Sequence, residues 1–194
     1  VVKNIRQEII RLGGQVRFST RLEDLVIEDG VLKGLIVEDS QGKAQLACDR
    51  LVLAIGHSAR DTFRMLYRNK CDLAQKQFSM GVRIEHPQKM IDEAQYGDEA
   101  HARILGPAEY KLNYKTKSGR GVYTFCMCPG GEVVMASSSP GQLLTNGMSY
   151  HARDLTFANS AVLVDVRKED YGSDDPLAGV LFQEEIEEKA YDVL

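Results

Sequence analysis

Several shortages in this 194-residue sequence each exclude a class of protein. No apolar run approaches the ~20 residues that a helix needs to cross a bilayer, and no secretory leader pattern opens the chain. A net charge of −4 leaves no basic stripe. Neither nucleic acid nor a membrane surface is therefore expected as a partner, and a cytoplasmic location follows. Only four cysteines occur, at positions 48, 71, 126 and 128, and no C-x-x-C pair is formed. A four-ligand zinc site lacks half its donors, so no metal is expected. No G-x-S-x-G surrounds a serine. No G-x-G-x-x-G opens a helix either: the nearest string, Gly119-Arg120-Gly121-Val122-Tyr123-Thr124, lacks the third glycine and reads as a hairpin turn. The sequence also lacks an initiator Met, opens inside an apparent helix and stops at Leu194 without a capping signal, which suggests a piece of a longer protein.

What is present is ordinary for a globular protein: 43% hydrophobic and 27% charged residues, in a length sufficient for a real core. The pivotal stretch is Leu51-Val52-Leu53-Ala54-Ile55-Gly56-His57-Ser58. Five apolar residues closed by glycine predict a strand buried on both faces. Asp61 to Tyr67 then has helical spacing, with Phe63, Leu66 and Tyr67 on one side. A buried strand, a glycine turn and a helix is how α/β proteins build ligand sites.

Upstream, Val2, Ile5, Ile9 and Leu12 predict an amphipathic helix that Gly13-Gly14 ends. Gln15 to Phe18 alternates like a strand. Leu22–Glu28 and Val31–Glu38 are joined at Asp29-Gly30, a strong hairpin signal. A second turn near Gly42 leads into Ala44–Cys48. Residues 1–70 thus read as helix, β-meander and buried strand. Beyond residue 70 the strand–helix alternation stops. Val82–Glu85, Tyr110–Tyr114, Val122–Cys126, Glu132–Ala136 and Ala161–Val166 read as strands. A helix over residues 88–96 has Met90, Ile91 and Ala94 inward and Gly97 as its stop. Asn146-Gly147 reads as a turn, residues 167–176 as a charged linker, and Phe182–Tyr191 as an amphipathic helix. The fold class is accordingly α/β plus α+β: a partial domain over 1–70, an inserted β-rich α+β domain over 71–170, and a linker and return segment over 171–194.

The order helix, Gly-Gly-x-Val-x-Phe, meander and Leu-Val-Leu-Ala-Ile-Gly resembles the latter part of the FAD-binding, Rossmann-like domain of two-dinucleotide-fold flavoproteins. The longer run Gly56-His57-Ser58-Ala59-Arg60-Asp61-Thr62-Phe63 resembles a bacterial group of FAD-dependent dehydrogenases, often described as NAD(FAD)-utilising. Phe78 to Pro87, Cys126-Met127-Cys128-Pro129-Gly130-Gly131 and Thr145 to Ser149 extend the likeness over most of the chain. The resemblance implies FAD as cofactor in the whole protein, bound weakly or not at all by this chain, because the pyrophosphate-binding glycines would lie upstream. It places Leu22 beside the adenine and Gly56, His57 and Ser58 close to the dinucleotide. It also makes residues 71–170 the side that meets a small-molecule substrate.

Alternatives stay open at the residue level. His57 reads as a proton donor or as a satisfied turn histidine; Asp61 reads as a partner of Arg60 or of a loop, or as a first-turn acid. Cys126 and Cys128, being i and i+2, share a face if the strand is regular. They read as structural thiols, as thiols lining a flavin or substrate pocket, or as half a metal site. Pro129-Gly130-Gly131 reads as a tight turn with close backbone approach. Arg153 reads as a receptor for an anionic substrate or as a solvated cation. Two functions remain: part of an FAD-dependent oxidoreductase of unknown substrate, or a non-catalytic β-rich binding module.

Overall fold

The computed structural model describes residues 1–97, 101 and 104–193. The chain forms two compact units, Val1–Leu73 and Ala74–Leu194.

In the first unit, α1 (Val2–Arg11) follows the expected three-four spacing, yet none of its residues is buried; Val2 is 82% and Ile5 57% exposed. β1 (Arg21–Glu28), β2 (Val31–Asp39) and β3 (Gly42–Ala47) make an antiparallel three-stranded meander in that order. Asp29 and Gly30 both adopt positive φ, 50° and 75°, the requirement of a two-residue turn that matches strand twist. α2 (Arg60–Arg68) buries Thr62, Met65 and Leu66. Of the three residues expected on the inner side, Leu66 is buried, Phe63 half-buried and Tyr67 exposed, so the buried stripe is turned toward Thr62 and Met65.

Two expected strands are absent. Gln15–Phe18 forms none; Phe18 instead sits under the Arg6 guanidinium, 5.5 Å from the ring centre. Leu51–Ile55 forms none either, and Val52 is 90% exposed. A strand buried on both faces needs strands beside it and layers above and below. Among the described residues this unit offers it neither.

The second unit is organised on a four-stranded antiparallel sheet, β4 (Phe78–Pro87), β9 (Phe157–Val166), β6 (Gly121–Cys128) and β5 (Asn113–Lys115), in that spatial order. β7 (Gly131–Met135) and β8 (Thr145–Ser149) form a separate hairpin. Asn146-Gly147, expected as a turn, lies inside β8. β5 is shorter than the alternation of Tyr110–Tyr114 suggests, because the Leu112 amide donates to the Thr124 hydroxyl rather than to a ladder carbonyl. α3 (Gln88–Tyr96) ends at Gly97 with φ 84°, as expected. Its buried residue is Gln88, however, while Met90 is half exposed.

Gln88 is inside because every polar atom of its amide is used. Nε2 donates to Asp92 Oδ1 (2.8 Å) and to the Ala108 carbonyl (3.1 Å), and Oε1 accepts the Gly130 amide (2.8 Å). The stretch 167–176 is not a free linker. It opens with a 3-10 turn, Lys168–Tyr171, pinned by a two-pronged Arg120–Asp170 pair at 2.6 and 2.5 Å. That guanidinium holds the Asp170 carboxyl far below the usual carboxylate range, helped by the Arg167 amide. Tyr171 stacks on Phe78 at 5.6 Å and meets Phe182 of α4 (Ala178–Tyr191) at 5.9 Å, so these segments share one aromatic cluster.

Candidate functional site

In the first unit Leu22 lines a small cleft of about 230 Å³ between β1 and α2, walled by charged residues such as Arg21, Asp61 and Arg68. Gly56, His57 and Ser58 do not line it. They form an exposed turn before α2, in which the His57 ring and the Ser58 hydroxyl are hydrogen bonded at 3.3 Å. Gly56 has φ 73°, and nothing lies within 4 Å of where a Cβ would stand. Its glycine is required by backbone conformation and leaves open space on that side. Asp61 faces Arg21 of β1 at 3.9 Å.

In the second unit the C-x-C motif sits on a β-bulge. Phe125 pairs with Ala161 and Cys128 with Asn159, so β6 takes three steps where β9 takes two. Cys126 is the residue that absorbs the extra step, at φ 46°, a region that costs a non-glycine residue of order 1 kcal/mol or more. The bulge breaks the alternation that would have put the two thiols on one face. Cys126 is exposed and Cys128 half-buried; both are free. The Cys126 carbonyl, turned out of the ladder, accepts from Arg83 Nη1 (3.1 Å) and from the Cys128 thiol (3.3 Å).

Arg83 Nη1 also donates to Oδ1 of Asn159 at 2.6 Å. Asn159 is wholly buried, and its Nδ2 has no hydrogen-bond partner among the described residues. A buried donor without an acceptor costs about 1–3 kcal/mol. Gly147 of β8 closes over this group: a Cβ there would stand 2.2 Å from Arg83, 2.3 Å from Asn159 and 2.8 Å from Cys128. Gly130 makes the close approach expected of its turn, because a Cβ on it would meet the Arg153 carbonyl at 2.0 Å. The Arg153 side chain is itself paired with Glu109 at 2.6 Å. Sequence reasoning thus located the C-x-C motif and its glycine turn. It missed Arg83, which carried no signal beyond the alternation of Val82–Glu85, and Asn159, which precedes the strand read over Ala161–Val166.

The other face of the sheet holds a cavity of about 490 Å³, within the size range of small-molecule sites. Ile84, Val122 and Val162 form its floor, and Ile91 and Ala94 of α3 one wall. Among its polar lining residues His86 and Tyr110 are hydrogen bonded to each other, and neither was singled out from the sequence as functional. His86 Nδ1 lies 2.9 Å from the Ala158 carbonyl and Nε2 2.7 Å from the Tyr110 hydroxyl, with the rings edge to face. Burial pushes the Tyr110 hydroxyl above its ordinary value, and the Ser160 hydroxyl opposes that shift. Asp92 and Gln88 of α3 fix the Ala108 backbone through its amide (2.8 Å) and carbonyl, two residues before Tyr110.

The family described as FAD-dependent protein, C-terminal domain-like, matches residues 77–194, well over half of the chain. The chain belongs to that family. It is also 52% identical over 192 residues to an uncharacterized protein of Clostridium beijerinckii, an alignment that takes in 98% of this chain and 35% of that protein. The chain thus spans about a third of the relative's length. The matched segment begins within the first residues of the second unit, so both the bulge and the cavity belong to the C-terminal-like domain. Among the described residues no helix is long and apolar enough to cross a membrane, and no group of three or more His, Cys, Asp or Glu is placed to hold a metal.

Proposed function

We propose that this chain is part of an FAD-dependent oxidoreductase, a dehydrogenase whose whole length exceeds it. Residues 1–70 then belong to a Rossmann-like flavin domain, and residues 71–170 form the domain that meets a small-molecule substrate. The reading rests above all on the C-x-C bulge, which lies within the segment matched to an FAD-dependent family. Strain at Cys126 and the unpaired buried donor of Asn159 are costs that a fold retains where they serve a site.

In the first unit Gly56 offers open space beside an exposed backbone turn, which suits the close approach of a dinucleotide. In this reading Leu22, Gly56, His57 and Ser58 hold the dinucleotide through backbone groups and the turn hydroxyl. When bound, FAD supplies the redox chemistry. Arg83 holds the buried Asn159 amide by its Oδ1 beneath the bulge. Cys126 and Cys128 line the substrate side. Arg153, engaged by Glu109, meets an anionic substrate only by exchanging that partner.

The test is the visible flavin spectrum of this chain beside that of the longer natural protein, each purified after reconstitution with excess FAD. Flavin retained by the longer protein alone, and reduced there when Gly56→Val is introduced, supports the reading. Absence of flavin from both ends it.

A further inference from the structure

The cavity on the α3 side of the sheet uses none of the residues proposed to meet FAD, and its chemistry is legible by itself. A carbonyl only accepts hydrogen bonds, so His86 Nδ1 carries a proton and donates to Ala158. In the neutral ring Nε2 is then bare and accepts from the Tyr110 hydroxyl. Tyr110 has one proton, and it is committed to His86. Toward the cavity its oxygen offers lone pairs only. The rest of the lining is mostly apolar and aromatic, Ile84, Ile91, Val122, Val162 and Tyr123 among it; Gln95, Asn113 and Thr124 are its other polar members, and the Thr124 hydroxyl is already engaged with the Leu112 backbone. A ligand that matches both properties is flat and apolar and donates one hydrogen bond.

We propose that this cavity binds a planar aromatic ligand bearing a phenolic hydroxyl, which donates to Tyr110 while Tyr110 donates to His86. The volume of about 490 Å³ admits one such ligand of two or three fused rings.

The probe is 2-naphthol, followed by its fluorescence on titration with the full 194-residue chain, against 2-methoxynaphthalene of the same shape without the donor. Binding of 2-naphthol at least tenfold tighter than that of its methyl ether is expected. The preference should vanish in Tyr110→Phe, which keeps the ring and removes the acceptor oxygen. Ala94→Trp, at the α3 wall of the cavity, should abolish binding of both compounds by filling the space with an indole. Equal affinities in the unsubstituted chain, no binding by it, or binding unaffected by Ala94→Trp would each overturn the proposal. Circular dichroism of the variants separates loss of the site from loss of the fold.

Discussion

Single residues carry much of the second unit's specificity, and they do so through backbone space as much as through side-chain chemistry. Gly130→Ala should destabilise the chain by more than about 2 kcal/mol, because positive φ and a collision with the Arg153 carbonyl act together; a shift in urea midpoint without a change in slope would measure it. Gln88→Leu conserves approximate size but leaves the Gly130 amide without its acceptor and the Ala108 carbonyl without its side-chain donor. A loss of about 2–3 kcal/mol is expected, together with a weakened Tyr110–His86 contact readable in the imidazole proton resonances. Cys126→Gly runs the other way. Removing the Cβ at φ 46° should leave stability unchanged or raise it by up to about 1 kcal/mol. A marked loss would mean that the thiol, not the backbone, holds the bulge.

At the scale of elements, the 3-10 turn after β9 depends on a pair that titrates. Asp170 has its carboxyl lowered by Arg120, so the native state binds its proton less readily than the unfolded chain. Its contribution is therefore complete above the ordinary carboxylate value of roughly 4 and is lost as pH falls toward the lowered native value. Asp170→Asn should flatten the stability–pH curve in that acid window while changing little at pH 7 beyond a constant offset; equilibrium unfolding at several pH values tests it.

Elements differed in how far the sequence revealed them. The Asp29-Gly30 hairpin and the Gly97 stop of α3 were legible because each needs a backbone conformation that few residue types supply. Leu51–Ile55 misled because an apolar run states a preference for burial without naming what provides it. Asn146-Gly147 misled for a related reason. The dipeptide favours turns, but here glycine is demanded by Arg83 and Asn159, which lie more than ten residues away on other strands. His86 and Tyr110 are 24 positions apart and meet because α3 anchors the Ala108 backbone beside β4, so no local pattern could pair them.

At the scale of the whole molecule, the second unit has its own sheet, aromatic cluster and buried polar anchors. Residues 74–194 expressed alone should therefore unfold cooperatively in urea and keep the 2-naphthol site. A molten product, with secondary structure but no sharp transition, would show that the first unit is needed for folding. The family membership of residues 77–194 concerns this same unit, which makes it the natural piece on which to begin substrate screening.

β9 joins the two faces of that unit in one further way. Asn159 and Ser160 are neighbours in the chain, both with no exposed surface, and they point to opposite sides of the sheet. One faces Arg83 and the bulge; the other pairs with Ile84 across the ladder, on the Tyr110 side. Sliding β9 by a single residue would exchange them, placing an amide over the aromatic cavity and a hydroxyl before the guanidinium. Deleting one residue within β9 is thus a frameshift in space, spoiling both faces at once, whereas an even-numbered change preserves which side each later residue serves. Evolution along this strand should be counted in twos.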